Sequence, residues 1–133
     1  MIDERRLCES AVAAAAAAYA PYSGFSVGAA LLADDGTVFT GCNVENGSYG
    51  LTMCAERTAV FKAVSDGRRR FSAIAIAGGR DTPAYPCGAC RQVLAEFCPP
   101  ETPVICLTLD ATRIERLTLG ELLPHTFALA GRQ

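Results

Sequence analysis

Two short cysteine-bearing segments constrain this chain more than any other feature. Cys54-Ala55-Glu56 opens one stretch of helical periodicity, and Pro86-Cys87-Gly88-Ala89-Cys90 opens another. Helix N-termini carry partial positive charge and free N–H groups, which lower a thiol's pKa and favour the thiolate that binds zinc. Cys87 and Cys90 are one helical turn apart and so share a face. A fold that brings the two helix starts together therefore gathers Cys54, Cys87 and Cys90 into a three-thiolate zinc set. Such a set leaves one tetrahedral position open, as a catalytic site does. First-turn side chains lean back toward the N-terminus, so Glu56 can converge with Cys54 on a point ahead of its helix.

A lone C-x-x-C has other readings. It fits a redox dithiol, or half of a closed four-cysteine site completed by Cys42, Cys98 or Cys106. The redox reading gives Cys54 and Glu56 no role. The closed site lacks the second closely spaced pair that structural zinc sites usually bring. The spacing favours the open zinc set. Glu56 alone would read as an ordinary acidic residue at a helix start.

The rest of the chain alternates helices and strands. Asp3 to Ala18 reads as a helix, rich in the best helix former and stopped by Pro21 and Gly24. Ser26–Ala33 and Thr37–Cys42 read as strands joined by an Asp35-Gly36 hairpin turn. A polar loop from Asn43 to Thr52 precedes a helix over Cys54–Asp66, with Gly67 as its stop. Phe71–Ala77 reads as a buried strand, Gly78–Pro86 as a loop, and Cys87–Phe97 as a helix closed by Pro99 and Pro100. Val104–Leu109 and Arg113–Leu117 read as two further strands. Thr118 and Glu121 have capping-box spacing before a short helix over Glu121–Leu123. This order predicts one α/β sandwich around a mixed sheet, a single domain spanning residues 1–133.

Composition narrows the function. The 133 residues carry a net charge of −2 and no basic block beyond Arg68, Arg69 and Arg70, which read as a solvated turn. Phosphate neutralisation drives nucleic-acid binding, so a nucleic-acid partner is not expected. The positive mean hydropathy of +0.22 points to apolar surface buried between subunits. Arg5 and Arg6 before an alanine run ending in Ala18-Tyr19-Ala20 superficially resemble a signal peptide, but Asp3, Glu4 and Glu9 break the basic region. No run reaches membrane-spanning length. A cytoplasmic chain with reduced thiols is expected, and its paired cysteines read as metal ligands.

The cysteine and glutamate pattern is a recognised signature of zinc deaminases. The chain also resembles cytidine deaminases, of the small homotetrameric kind, over nearly its whole length. The matching stretches are Pro21-Tyr22-Ser23-Gly24-Phe25-Ser26-Val27-Gly28-Ala29-Ala30, Gly41-Cys42-Asn43-Val44-Glu45-Asn46, Cys54-Ala55-Glu56-Arg57 and Pro86-Cys87-Gly88-Ala89-Cys90-Arg91-Gln92, with Leu122-Leu123-Pro124 and Phe127 in the tail. The resemblance implies a three-layer sandwich around a mixed five-stranded sheet. It implies one zinc ion per chain, a nucleoside substrate and active sites shared within a tetramer. Asn43 and Glu45 resemble a ribose-binding pair, Phe25 an aromatic packed on the pyrimidine, and Ala55 a backbone contact to the base edge. Phe127 and Tyr49 resemble residues at a subunit boundary. His125 lies outside both cysteine motifs and reads as a tail residue.

The implied reaction converts cytidine, and deoxycytidine with it, to uridine or deoxyuridine and ammonia, a step of pyrimidine salvage. Zinc activates water and Glu56 shuttles the protons. Three thiolates leave the site with net negative charge, and Arg57 is the side chain placed to offset it. Three rival readings remain: a relative acting on a modified aminonucleoside, a polynucleotide-editing deaminase, and a non-enzymatic module with structural zinc.

Overall fold

The structure, a computed structural model, describes residues 2–129. Five strands form one sheet in the order β2-β1-β3-β4-β5: β1 Val27–Ala33, β2 Val38–Cys42, β3 Phe71–Gly78, β4 Pro103–Leu107 and β5 Ile114–Thr118. Only the β3–β4 pair is parallel. Four helices accompany the sheet: α1 Glu4–Ala15, α2 Ala55–Ser65, α3 Gly88–Phe97 and α4 Leu119–Leu122.

Residue alternation divides the core between the two faces. On β3, Ile74 and Ile76 join Ala59, Val60 and Ala63 of α2, and Leu94 of α3. The intervening Ala73, Ala75 and Ala77 join Leu7, Cys8 and Ala11 of α1. A strand covered on both faces reads as a continuous apolar run, which is why Phe71–Ala77 stands out in the sequence. The α1 face uses small side chains because the helix lies close. A Cβ on Gly28 would stand 2.1 Å from the carbonyl oxygen of Ala11 and 2.4 Å from the nitrogen of Ala15. Gly41 of β2 plays the same part on the other face, where a Cβ would stand 2.5 Å from both the Ala55 oxygen and the Ala59 nitrogen. The resulting helix, sheet, helix layering is the three-layer arrangement that the family resemblance implies.

One local expectation is corrected and another is refined. Helix α1 ends at Ala15 rather than Ala18. The Tyr19 backbone is needed elsewhere: its N–H donates to the Asn43 carbonyl, and its own carbonyl accepts from Glu45. Arg69 and Arg70 are exposed on the expected surface turn after α2, while the Arg68 side chain folds back from it. Arg68 pairs with Asp35 at 3.1 Å and Asp66 at 3.2 Å, and lies 5.5 Å from the Phe39 ring centroid, tying the end of α2 to the β1–β2 hairpin.

Candidate active site

Sheet topology brings the two cysteine segments together. β2 and β3 are each antiparallel to β1, so both point the same way. Helices α2 and α3 follow them, and their N-termini meet at one end of the sheet, where ligands of α/β folds gather. Cys54 is the N-cap residue of α2 and Cys87 that of α3. The Cys87 sulfur accepts from the Cys90 N–H at 3.5 Å, taking the place of a capping hydroxyl.

The three sulfurs lie within 4.8 Å of one another, the one such cluster of potential metal ligands among the described residues. Cys54 Sγ is 3.7 Å from Cys87 Sγ, which is 3.4 Å from Cys90 Sγ. Zinc–sulfur bonds of about 2.3 Å in a tetrahedron require sulfurs about 3.8 Å apart, so this donor set fits zinc. All seven cysteines are free thiols. Cys42, Cys98 and Cys106 fall outside the cluster. Burial pushes the Cys98 and Cys106 thiols up to about 12, which makes them inert core residues. No fourth cysteine closes the site.

Glu56 sits beside these sulfurs, only 4% exposed. Burial raises its carboxyl to about 7, against the opposing pull of its own N–H at the start of α2, and the charge on Cys54 adds to the rise. Arg57 Nη2 lies 3.4 Å from Cys54 Sγ, and Arg57 Nε is buried with no hydrogen-bond partner. Hydrogen bonding from Cys90, then from Arg57, favours the thiolate at Cys54.

A second group of residues forms a strap from Pro21 to Val27. The Asn43 side chain, 9% exposed, accepts from the Val27 N–H at 2.9 Å and donates to the Phe25 carbonyl at 2.8 Å. Glu45 Oε1 accepts from the N–H groups of Tyr22 and Ser23, at 2.9 and 3.1 Å, and Oε2 accepts from the Ser23 hydroxyl. That hydroxyl, followed by the backbone donors, holds the Glu45 carboxyl below the usual range. Phe25 itself is half exposed. Ala55 is fully buried as the first residue of α2.

Tyr49 and Phe127 are not drawn into the cluster. They project outward at 77% and 71% exposure. Tyr49 meets Tyr22 edge to face with ring centroids 6.1 Å apart, and the Phe127 carbonyl accepts from Gln92 Nε2 at 3.4 Å. His125 stands apart from the metal-ligand cluster.

Two residues have contacts that motif reading does not supply. Arg91 donates to the Pro86 carbonyl at 2.7 Å and the Leu122 carbonyl at 2.8 Å, linking the cysteine loop to the end of α4. Ser23 accepts from the Phe25 N–H at 3.0 Å. Apart from its place in the matching stretch from Pro21 to Ala30, its signal in the sequence is a serine two residues ahead of an amide it can cap, a common turn device.

The geometry agrees with what the chain is similar to. The cytidine and deoxycytidylate deaminase zinc-binding region matches residues 1–106. The cytidine deaminase of Sporosarcina psychrophila is 52% identical over 127 residues, covering 96% of this chain and 93% of that protein. That of Halalkalibacterium halodurans is 53% identical over 126 residues, covering 95% of each. The crystal structure of cytidine deaminase from Burkholderia pseudomallei superposes with a TM-score of 0.90 at 49% identity, covering 95% of this chain and all of that one. With three thiols at two helix starts, a buried glutamate beside them and relatives matched nearly end to end, the chain belongs to the zinc-binding cytidine and deoxycytidylate deaminase family.

Proposed function

We propose that this protein is a zinc-dependent hydrolase that converts cytidine and deoxycytidine to uridine and deoxyuridine, releasing ammonia. The observation that carries the reading is the buried Glu56 carboxyl beside the open cluster of Cys54, Cys87 and Cys90. Those three residues hold the zinc. The metal supplies Lewis-acid activation of water at neutral pH. Glu56 takes one proton from the attacking water and delivers it to ring N3, then takes the second proton from the new C4 hydroxyl and delivers it to the departing 4-amino group. A carboxyl poised near neutrality suits a group that must both accept and donate. The C4–O bond forms in the first step, and the C4–N4 bond breaks in the second as ammonia leaves. Arg57 and the two helix N-termini offset the negative charge of the thiolates.

The strap supports nucleoside recognition. A carboxylate offers about four acceptor sites, and three donors occupy Glu45, leaving one for a sugar hydroxyl. Asn43 likewise keeps one N–H and one lone pair. Phe25 gives the pyrimidine an aromatic face, and the Ala55 N–H meets the base edge. Exposed Tyr49 and Phe127 fit an assembly, a homotetramer with shared sites, in which neighbours cover them. No helix of the described residues is long and apolar enough to cross a membrane, which fits a cytoplasmic role in pyrimidine salvage. Residues 1–133 act as one deaminase domain.

A side-by-side turnover assay with cytidine, deoxycytidine, an aminonucleoside and single-stranded RNA tests the proposal. Rapid loss of the cytidine absorbance, with no turnover of RNA, is expected. Preference for the aminonucleoside or RNA would overturn it.

A further inference from the structure

Phe25 is half exposed, yet both ends of its peptide unit are held. Asn43 Nδ2 donates to its carbonyl at 2.8 Å, and its N–H donates to the Ser23 hydroxyl oxygen at 3.0 Å. The same hydroxyl donates its proton to Glu45. Ser23 therefore stands between the carboxylate and the aromatic residue as a two-sided link. The backbone around it is built for this. Gly24 adopts a φ of +67°, which few other residues tolerate, and its N–H closes a turn onto the Ala20 carbonyl at 2.9 Å. The turn swings the Phe25 N–H back toward Ser23. The Tyr22 and Ser23 N–H groups fix the strap to Glu45 at the other end.

We infer that Ser23 is a positioning residue that ties the sugar-binding carboxylate of Glu45 to the aromatic platform of Phe25. Recognition of the sugar and stacking of the base then act as one unit. The inference rests on the reading of Phe25 as the base platform. Ser23 touches neither the reacting atoms nor the zinc thiols. Its effect is on how well Phe25 is held before the substrate arrives, and so falls on binding.

A double-mutant cycle between Ser23 and Phe25 tests this. Ser23→Ala removes both hydrogen bonds of the hydroxyl, to Glu45 and from the Phe25 N–H, and should raise KM for cytidine by about 5- to 100-fold, with kcat held within about twofold. Ser23→Thr keeps the hydroxyl and should restore KM. Phe25→Ala should raise KM by about tenfold or more, from lost stacking. In that background Ser23→Ala should cost less than in the parent, because the Phe25 side of the link is already gone. An unchanged KM in Ser23→Ala, or a Ser23 effect that adds fully to Phe25→Ala, would overturn the inference. An unchanged KM in Phe25→Ala would instead overturn the platform reading, and the inference with it.

Discussion

Gly41 sets how closely α2 approaches the sheet, and α2 carries Cys54 and Glu56 at its start. A Cβ at this position would lie 2.5 Å from the Ala55 oxygen and the Ala59 nitrogen, both backbone atoms of that helix. Ordinary contact begins near 3.4 Å, so the first turn of α2 must move by about 0.9 Å in Gly41→Ala. Overpacking of this kind costs about 1–3 kcal/mol of stability. Displacing a reacting group by about 1 Å costs about 10²-fold in rate. Gly28→Ala is the matched control. It creates an equal or worse clash, with Ala11 and Ala15 of α1, on the face away from Cys54 and Glu56. Denaturant midpoints, zinc content and kcat per folded zinc-loaded chain should be measured for both variants. Both should lose stability, and only Gly41→Ala should lose rate by one to two orders of magnitude. A Gly41→Ala enzyme that turns over normally once folded and loaded would refute the claim that this contact places the site.

Three further outcomes are expected. Glu56→Gln keeps the shape of a buried side chain but cannot carry a proton, so it should bind zinc and lose about 10²- to 10⁴-fold in kcat; near-normal turnover would remove the shuttle role. Arg57→Gln should keep the fold and weaken zinc binding about 10- to 100-fold in chelator competition, because the donor 3.4 Å from Cys54 Sγ is lost; an unchanged zinc affinity would contradict it. The Glu45 carboxyl is held below its ordinary value of 4.5, so its stabilisation is complete above that pH and is lost as the pH falls through the lower folded-state value. Thermal melts across this acid range should show a smaller loss in Glu45→Gln than in the parent, and parallel losses would show that the strap does not depend on the ionised group.

What was legible in the sequence was local or paired with a specific chemistry. Asp35-Gly36 announced its hairpin, and Gly36 does take a positive φ of 92° while Asp35 accepts from the Thr37 N–H. Thr118 and Glu121 announced a capping box that is fully formed, although its helix starts at Leu119, two residues before the expected start. The cysteine spacing placed three thiols together because helix starts impose few geometries on side chains that must share a metal. The alanine run misled because propensity says where a helix can continue, not where the chain is needed elsewhere. Tyr19 leaves the helix to pair with Asn43 and Glu45, a contact far away in sequence. The contacts of Arg68 were hidden for the same reason, since its partners Asp35 and Phe39 lie on the distant hairpin. The hydrogen-bonded strap combines a local turn with long-range anchors at Asn43 and Glu45, and only the turn leaves a trace in residue order.

The central claim is that the cluster of Cys54, Cys87 and Cys90 and the Glu56 beside it form a hydrolytic deaminase site. Ammonia release from cytidine by purified protein, measured together with zinc content, tests it most directly. One zinc per chain with rapid release, abolished by chelation and restored by added zinc, is the predicted result. One zinc per chain with no release from cytidine or deoxycytidine would contradict the claim and leave the metal as a structural element.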